Sequence, residues 1–358
     1  MKKWKIAVVG CGDIAEFQYM AQMYKNEKAE VVACCDVKRE RTELFRKKFG
    51  IKNVYSDTED LLQNEDFDIM MNLTSAPFHY NLNLKALKSG KHLYSQKPIA
   101  RTVQEATELI NTAKKAGVKF SASPVHMLNP LIREAKRHIE SGVIGKICLV
   151  RSVTGNGGPE YYQYRENDPA WFYETGAGAL FDVGVHALHW VTGLLGPAKE
   201  VSCIATISSP KRMVRSGAFD GKIINADKLF DNYLIHLNFG NGVLADVVTG
   251  FCIRASTCSE LEIYGEKGSI IFPRGMDSGL KLYMDDREKK IRGWIDCMPQ
   301  EKEYEFYQCY CIADLIDAIE KDRPVGLPAE HARHVIELMC SIEECAKDGK
   351  IRKIETTF

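Results

Sequence analysis

The sequence predicts an α/β protein of two domains: a helix-flanked parallel sheet, then an α+β domain built on a mostly antiparallel sheet. Three observations carry that expectation. Up to residue 123, short strand-like runs (KIAVV, VVACCD, DIMMNL, KHLY, KFSAS) alternate with amphipathic stretches such as RERTELFRKKF and TVQEATELINTAKKAG, the texture of βαβ units. From Pro124 onward, strand-like runs follow one another at short spacing (KICLVRSVTG, VSCIATIS, NYLIHLNF, GVLADVVTGF, SELEIYG, GSIIFP), and FGNG and GEKG read as hairpin turns. A chain of 358 residues also exceeds one ordinary core. The expected domains are therefore 1–123 and 124–358, with the terminal helices free to pack back on the first.

Within that frame each element has a local reason. The helix over TVQEATELINTAKKAG ends where Gly117 can adopt the left-handed cap. One further helix, LIREAKRHIESG, precedes the second set of strands. Two helices close the chain, around EYEFYQCYCIADLIDAIEKD and PAEHARHVIELMCSIEECAKDG. No internal repeat or low-complexity linker interrupts the pattern.

Composition removes several classes of function. Lys plus Arg and Asp plus Glu are both 48, so the basic footprint that nucleic acid demands is missing. No run approaches the ~20 apolar residues of a membrane helix. The opening MKKWKIAVVGCG has too short an apolar run for a signal peptide and reads as a strand, so an unexported, cytoplasmic protein is expected. Twelve cysteines without a CxxC pair suit buried hydrophobes in a reducing compartment. His186 and His189 form an HxxH pair with no complementary ligand set; packing is expected of His189, and no metal site.

The chemistry starts at the first turn. Strand KIAVV runs into Gly10, Cys11, Gly12, Asp13, Ile14 and Ala15, a GxGxxA turn that opens a helix. Its glycines permit close backbone approach, and a helix N-terminus offers amides to a pyrophosphate. Gly10, Gly12, Asp13 and Ile14 are thus cofactor candidates. A second strand ends in Asp36, placed to accept hydrogen bonds from the adenosine ribose and to repel a 2′-phosphate, which favours NAD over NADP. Lys38 and Arg39 act in the opposite sense.

Two further stretches, TSAPFHYNLNLKALKSGKHLYSQKPIA and GAGALFDVGVHALHW, together with the glycine turn, resemble the glucose-fructose oxidoreductase and inositol dehydrogenase family (Gfo/Idh/MocA). The resemblance covers nearly the whole chain. It implies a Rossmann domain followed by a domain with a large open-faced antiparallel sheet, whose exposed face commonly pairs subunits, so a homo-oligomer is expected. It makes Lys97 the lysine that hydrogen-bonds the reacting hydroxyl and the nicotinamide ribose, with Asp182 and His186 completing the catalytic set. Thr74, His79 and Gln96 would line the cofactor beside Lys97. Residue chemistry agrees: positions 182 and 186 share one helical face, a histidine can take a hydroxyl proton, and a cation favours a developing alkoxide. Two departures stand out. Gln96 replaces the family's usual glutamate, removing a charge, and Ala177 thins the glycine-rich stretch.

The segment GNGGPEYYQYRENDPAWFYETG is rich in aromatics for a loop. Tyr161, Tyr162 and Trp171 are expected to stack on a sugar ring or to pack subunits; His126 and Asn156 are further substrate candidates. The leading function is an NAD-dependent dehydrogenase acting on a ring hydroxyl of a sugar, glycoside or cyclic polyol. The alternatives are an NAD-dependent glycoside hydrolase or lyase working through transient oxidation at C3, and a non-catalytic NAD or sugar sensor.

Overall fold

In the computed structural model a six-stranded and a nine-stranded sheet organise the chain, and residues 3–161, 168–274, 279–288, 290–298 and 308–358 are described. Two units are present: Met1–Leu128 with Glu305–Ile336 and Phe358, and Asn129–Tyr304 with Glu337–Thr357. The first unit therefore runs five residues past the expected boundary, and it takes back a C-terminal segment.

The six strands β1 (Trp4–Val9), β2 (Ala29–Cys35), β3 (Asn53–Tyr55), β4 (Ile69–Asn72), β5 (His92–Ser95) and β6 (Phe120–Ala122) are ordered β3-β2-β1-β4-β5-β6. All pairs are parallel, the strand order of a doubly wound dinucleotide-binding sheet. β4 is buried along its whole length, as a strand covered on both faces requires. The helices are α1 (Ala21–Met23, entered through a π turn over Ile14–Met20), α2 (Arg39–Phe49), α3 (Thr58–Asn64), α4 (Ala76–Lys88) and α5 (Val103–Ala116). Their ends follow local chemistry. Thr102 caps α5 by accepting from Glu105 N at 3.1 Å, and Gly117 closes it at φ 69°. Sequence reasoning had omitted β3, whose NVY is too short to show a period.

In the second unit, Asn129 caps α6 (Pro130–Glu140) by accepting from Leu131 N at 2.8 Å. The sheet is formed by β7 (Ile147–Gly155), β8 (Glu200–Thr206), β11 (Asn232–Asn238), β12 (Leu244–Gly250), β13 (Leu261–Gly265), β14 (Gly268–Phe272), β15 (Leu280–Asp286), β16 (Ile291–Cys297) and β17 (Arg352–Lys353). β9 (Lys211–Met213) and β10 (Ile223–Asn225) form a separate ribbon. The large sheet is antiparallel except for one parallel pair, β7 with β12, in register from Leu149↔Leu244 to Gly155↔Gly250. Both expected hairpins are present, β11–β12 over FGNG and β13–β14 over GEKG. Along β11, Tyr233, Ile235 and Leu237 are buried while Leu234 and His236 are exposed, so the sheet has one core face and one open face. The open face carries Ile204, Leu234 and Leu244. α7 (Val185–Leu195) covers the other side and is also entered through a π turn, Leu180–Gly184.

The returning segment explains the shifted boundary. α8 (Tyr310–Glu320) buries Cys311, Ile312, Leu315 and Ile316 in the core that also holds Ile6, Tyr19 and Tyr94. Ala122 N donates to Leu327 O at 2.9 Å, beside an antiparallel bridge between Ser121 and Pro328. α9 (Ala329–Asp348) begins in the first unit and continues in the second. Among the described residues, no helix is long and apolar enough to cross a membrane.

Candidate active site

The glycine turn is built against the end of β4. Gly10 has φ +92°, and a Cβ there would come within 2.6 Å of Thr74 N and 2.7 Å of Leu73 C; only glycine permits this close approach. A Cβ at Gly12 would meet nothing within 4 Å, which leaves open space beside the helix N-terminus. Asp13 carries its charge at that terminus, but Arg41 lies 3.2 Å away and offsets it. Ile14 begins the π turn, a feature often found at functional sites.

Asp36 has a second duty that the sequence did not announce. One carboxylate oxygen accepts from Cys11 N at 2.8 Å and the other from Lys38 N at 2.9 Å. Asp36 thus braces the glycine turn from the end of β2, and each oxygen keeps a lone pair for a further donor. Lys38 and Arg39 are both exposed.

At the ends of β4 and β5 a buried polar chain holds the neighbouring loops. Thr74 Oγ1 donates to Asn72 Oδ1 at 2.7 Å, Asn72 Nδ2 to Asn83 Oδ1 at 2.8 Å, and Asn83 Nδ2 to Ser95 Oγ at 2.8 Å and Ile99 O at 3.1 Å. His79 is buried, with Nδ1 2.7 Å from Pro98 O and Nε2 2.8 Å from Thr74 O. Both its ring nitrogens face main-chain carbonyls, so His79 ties the Lys97–Pro98 turn to the Thr74 turn rather than presenting a polar edge to a cofactor.

Gln96 shows what its amide does in place of a carboxylate. Its Oε1 accepts from Lys97 N at 2.8 Å and its Nε2 donates to Tyr19 OH at 3.0 Å. Tyr19 OH lies 2.8 Å from Tyr94 OH, and burial pushes both phenols above their ordinary range. A neutral amide can serve both neighbours without placing a charge in this enclosed core. Lys97 follows directly, half-buried at the C-terminal edge of the parallel sheet. His126 lies in the short helix Val125–Leu128; burial, and next the positive charge of Lys97, hold it down to about 4. His126 is therefore a neutral imidazole near the lysine.

In the second unit, Asp182 lies in the π turn and His186 in the first turn of α7. This helix seats on the parallel pair: a Cβ at Gly184 would come within 3.1 Å of Thr249 Cγ2, and Thr249 Oγ1 lies 3.3 Å from Thr154 Oγ1. His189 is buried. Asn156, two residues past Thr154, organises the loop. Its Oδ1 accepts from Gly158 N at 2.8 Å and its main-chain oxygen from Ile253 N at 3.0 Å.

The aromatic loop divides by environment. Phe172 and Tyr173 are core, packed on Phe251. Trp171 is 51% exposed, one face stacked on Phe172 at 3.8 Å. Tyr161 is half-buried, with the guanidinium carbons of Arg254 and Arg215 5.0 and 5.6 Å from its ring centre. Tyr162 lies outside the described residues. Behind the loop, Arg212 pairs at 2.8 Å with both Glu160 and Asp231, and Tyr173 OH donates to Glu160. Sequence reasoning missed this buried cluster.

The family description "Oxidoreductase family, NAD-binding Rossmann fold" matches residues 4–123, and "GFO/IDH/MocA C-terminal domain" matches residues 132–271. The chain belongs to the Gfo/Idh/MocA family. Among its relatives is D-glucoside 3-dehydrogenase of Escherichia coli (strain K12), 26% identical over 75% of this chain and 77% of that protein. The scyllo-inositol 2-dehydrogenase (NAD(+)) of Bacillus subtilis (strain 168) is 23% identical over 74% and 72%. A levoglucosan dehydrogenase structure in complex with NADH and L-sorbose superposes with a TM-score of 0.85 at 20% identity, covering 99% of both chains; at that identity the likeness speaks to fold. This Gfo/Idh/MocA chain is an oxidoreductase, and its first unit is an NAD-binding Rossmann domain. The turn fits that dinucleotide, with open space at Gly12 for a pyrophosphate and spare acceptor capacity on Asp36 for ribose hydroxyls.

Replacing Asp36 by Ala should weaken NAD at least about tenfold, because hydrogen bonds to a charged acceptor are worth ~1.5–3 kcal/mol. Loss of the brace on Cys11 affects NAD and NADP alike, so the ratio of the two affinities isolates the ribose contact. Calorimetric titration with each cofactor measures it; an unchanged ratio removes Asp36 from ribose recognition.

Proposed function

We propose that this chain oxidises a ring hydroxyl of a glycoside or substituted sugar, with Lys97, Asp182 and His186 as its catalytic residues. The observation that carries the reading is Lys97 itself, placed at the C-terminal edge of an NAD-binding parallel sheet, with its main chain fixed by Gln96. Ligands of such sheets bind at that edge, and a sensor that only binds needs no ammonium group there.

NAD, when bound, supplies the hydride acceptor. Lys97 donates a hydrogen bond to the substrate oxygen and favours its developing negative charge. His186 takes the hydroxyl proton as the C–H pair leaves as hydride, and Asp182, four residues earlier, orients the imidazole. The products are a ketone, NADH and one proton. Asn156 holds the loop that carries the substrate wall, and Trp171 offers its exposed face to a ring or aglycone. We place the oxidised carbon at C3, in line with the 26%-identical D-glucoside 3-dehydrogenase.

Screening the purified protein with NAD against inositols, free sugars and glycosides tests this. NADH formed in proportion to an oxidised glycoside is the expected result. Release of the aglycone without net NADH would move the chain to the hydrolases or lyases that oxidise C3 transiently.

The open sheet face, with Ile204, Leu234 and Leu244 exposed, supports pairing of subunits through the C-terminal domain, since apolar rows of this kind favour burial. Sedimentation of the purified chain should give at least a dimer. A monomer at working concentration removes that part of the reading.

A further inference from the structure

Around Tyr161, in the loop after β7, two arginines from other segments gather positive charge that the redox step does not use. Tyr161 rests on the backbone of Gly157: a Cβ there would come within 2.9 Å of Tyr161 Cγ and Cδ1 and 3.1 Å of Arg254 Cγ. The guanidinium of Arg254 lies 5.0 Å from the Tyr161 ring centre and that of Arg215 5.6 Å. Both arginines are exposed. Among the described residues, neither has a carboxylate within ion-pair distance, and four acids of the flanking segments are committed elsewhere. Glu160 and Asp231 pair with Arg212, Asp168 pairs with Lys222, and Glu174 pairs with Lys228.

Two cations on one aromatic ring repel each other. An exposed cation–π contact returns only ~0.5–1 kcal/mol, which one arginine would supply without that repulsion. An anion between or beside the guanidiniums removes the repulsion and gains charge-assisted, bidentate hydrogen bonds. The location ties this pair to the reaction. Arg254 and Tyr161 follow the C-terminal ends of β12 and β7, the parallel strands whose Thr249 and Thr154 lie under the helix of Asp182 and His186. Asn156 joins the two segments through its bonds to Gly158 N and Ile253 N.

We propose that Arg215 and Arg254, laid along Tyr161, form a subsite for an oxyanion on the sugar substrate, a carboxylate or a phosphate set apart from the hydroxyl that is oxidised. This rests on the dehydrogenase reading above and narrows its substrate class from sugars in general to acidic ones. Tyr161 then holds the guanidiniums in place, and stacking on the neutral part of the substrate falls to Trp171.

The test compares methyl glucuronide, glucose 6-phosphate and methyl glucoside as substrates with NAD, for wild type and the double variant Arg215→Gln, Arg254→Gln. Thermal unfolding confirms that the variant folds. One acidic substrate should exceed the neutral glycoside in kcat/KM by at least about tenfold. The double variant should lower that ratio by about tenfold or more, and added NaCl should lower it in wild type alone. The better of the two acidic arms identifies carboxylate or phosphate. A wild type that prefers methyl glucoside, or an acidic-to-neutral ratio unmoved by the double variant, overturns the subsite while the dehydrogenase reading stands. If none of the three is oxidised, calorimetric titration of glucuronate and of glucose 6-phosphate decides the subsite by itself: equal affinity in wild type and variant overturns it, and selective loss in the variant upholds it.

Discussion

Lys97→Met and His186→Ala should each lower kcat by at least ~100-fold, the scale of losing a positioned proton acceptor or charge-stabilising donor. Lys97→Met removes the cation but keeps a side chain of similar length, and Gln96 Oε1 still holds the main chain at residue 97. NAD affinity measured by titration therefore separates chemistry from folding: it should change far less than kcat. The pH profile adds a second check. His126 is held down to about 4, mainly by burial, so it stays neutral and its protonation cannot shape the rate between about pH 5 and 8. An acid limb in that range belongs to the proton acceptor, with the rate rising as the imidazole loses its proton. In His186→Ala the residual rate should have lost that limb. A variant that turns over at near the wild-type rate, or that keeps the same acid limb, removes the residue from the catalytic set.

The first unit was the more legible because its signals are local. Gly10 to Ala15 and Asp36 fall in one strand-turn-helix-strand unit, with β1 and β2 legible as β-branched runs and β4 and β5 as short apolar ones between helical stretches. FGNG and GEKG fixed two hairpins of the second sheet in the same way. What escaped is non-local or aperiodic. β15 and β16 flank the charged DDREKK, and β16, IRGWIDC, is exposed along most of its length, so its hydrophobic pattern is weak. The parallel pairing of β7 and β12 joins segments separated by β8 and β11 and leaves no local mark. The π turn before α7 keeps the helical spacing of Asp182 and His186 nearly intact, and nothing in the sequence separates it, or the π turn before α1, from α-helix. His79 and Gln96 were read as cofactor contacts because they sit in the motif. Their partners are Thr74, Pro98, Lys97 and Tyr19, and only folding brings Tyr19 to Gln96.

Arg212→Met should lower stability more than any exposed substitution in this chain, by ~3–5 kcal/mol, the scale for removing one partner of a buried ion pair. Glu160 and Asp231, 5% and 2% exposed, would face each other without the guanidinium that now bonds both at 2.8 Å. Arg212 also donates to Phe251 O at 3.1 Å, so β12's end loses a donor as well. The drop in melting temperature should reach roughly 10 °C in the transition of the second unit, at about 2–4 °C per kcal/mol. Arg151→Met is the matched control, because Arg151 and Asp246 form a half-exposed pair at 3.6 Å, and such pairs contribute ~0–1 kcal/mol. Calorimetric scans of wild type and both variants at pH 7 measure this. A melting temperature close to that of Arg151→Met would show that Arg212 is dispensable to the fold, and that the loop carrying Tyr161 is held by its Asn156 and Gly158 contacts.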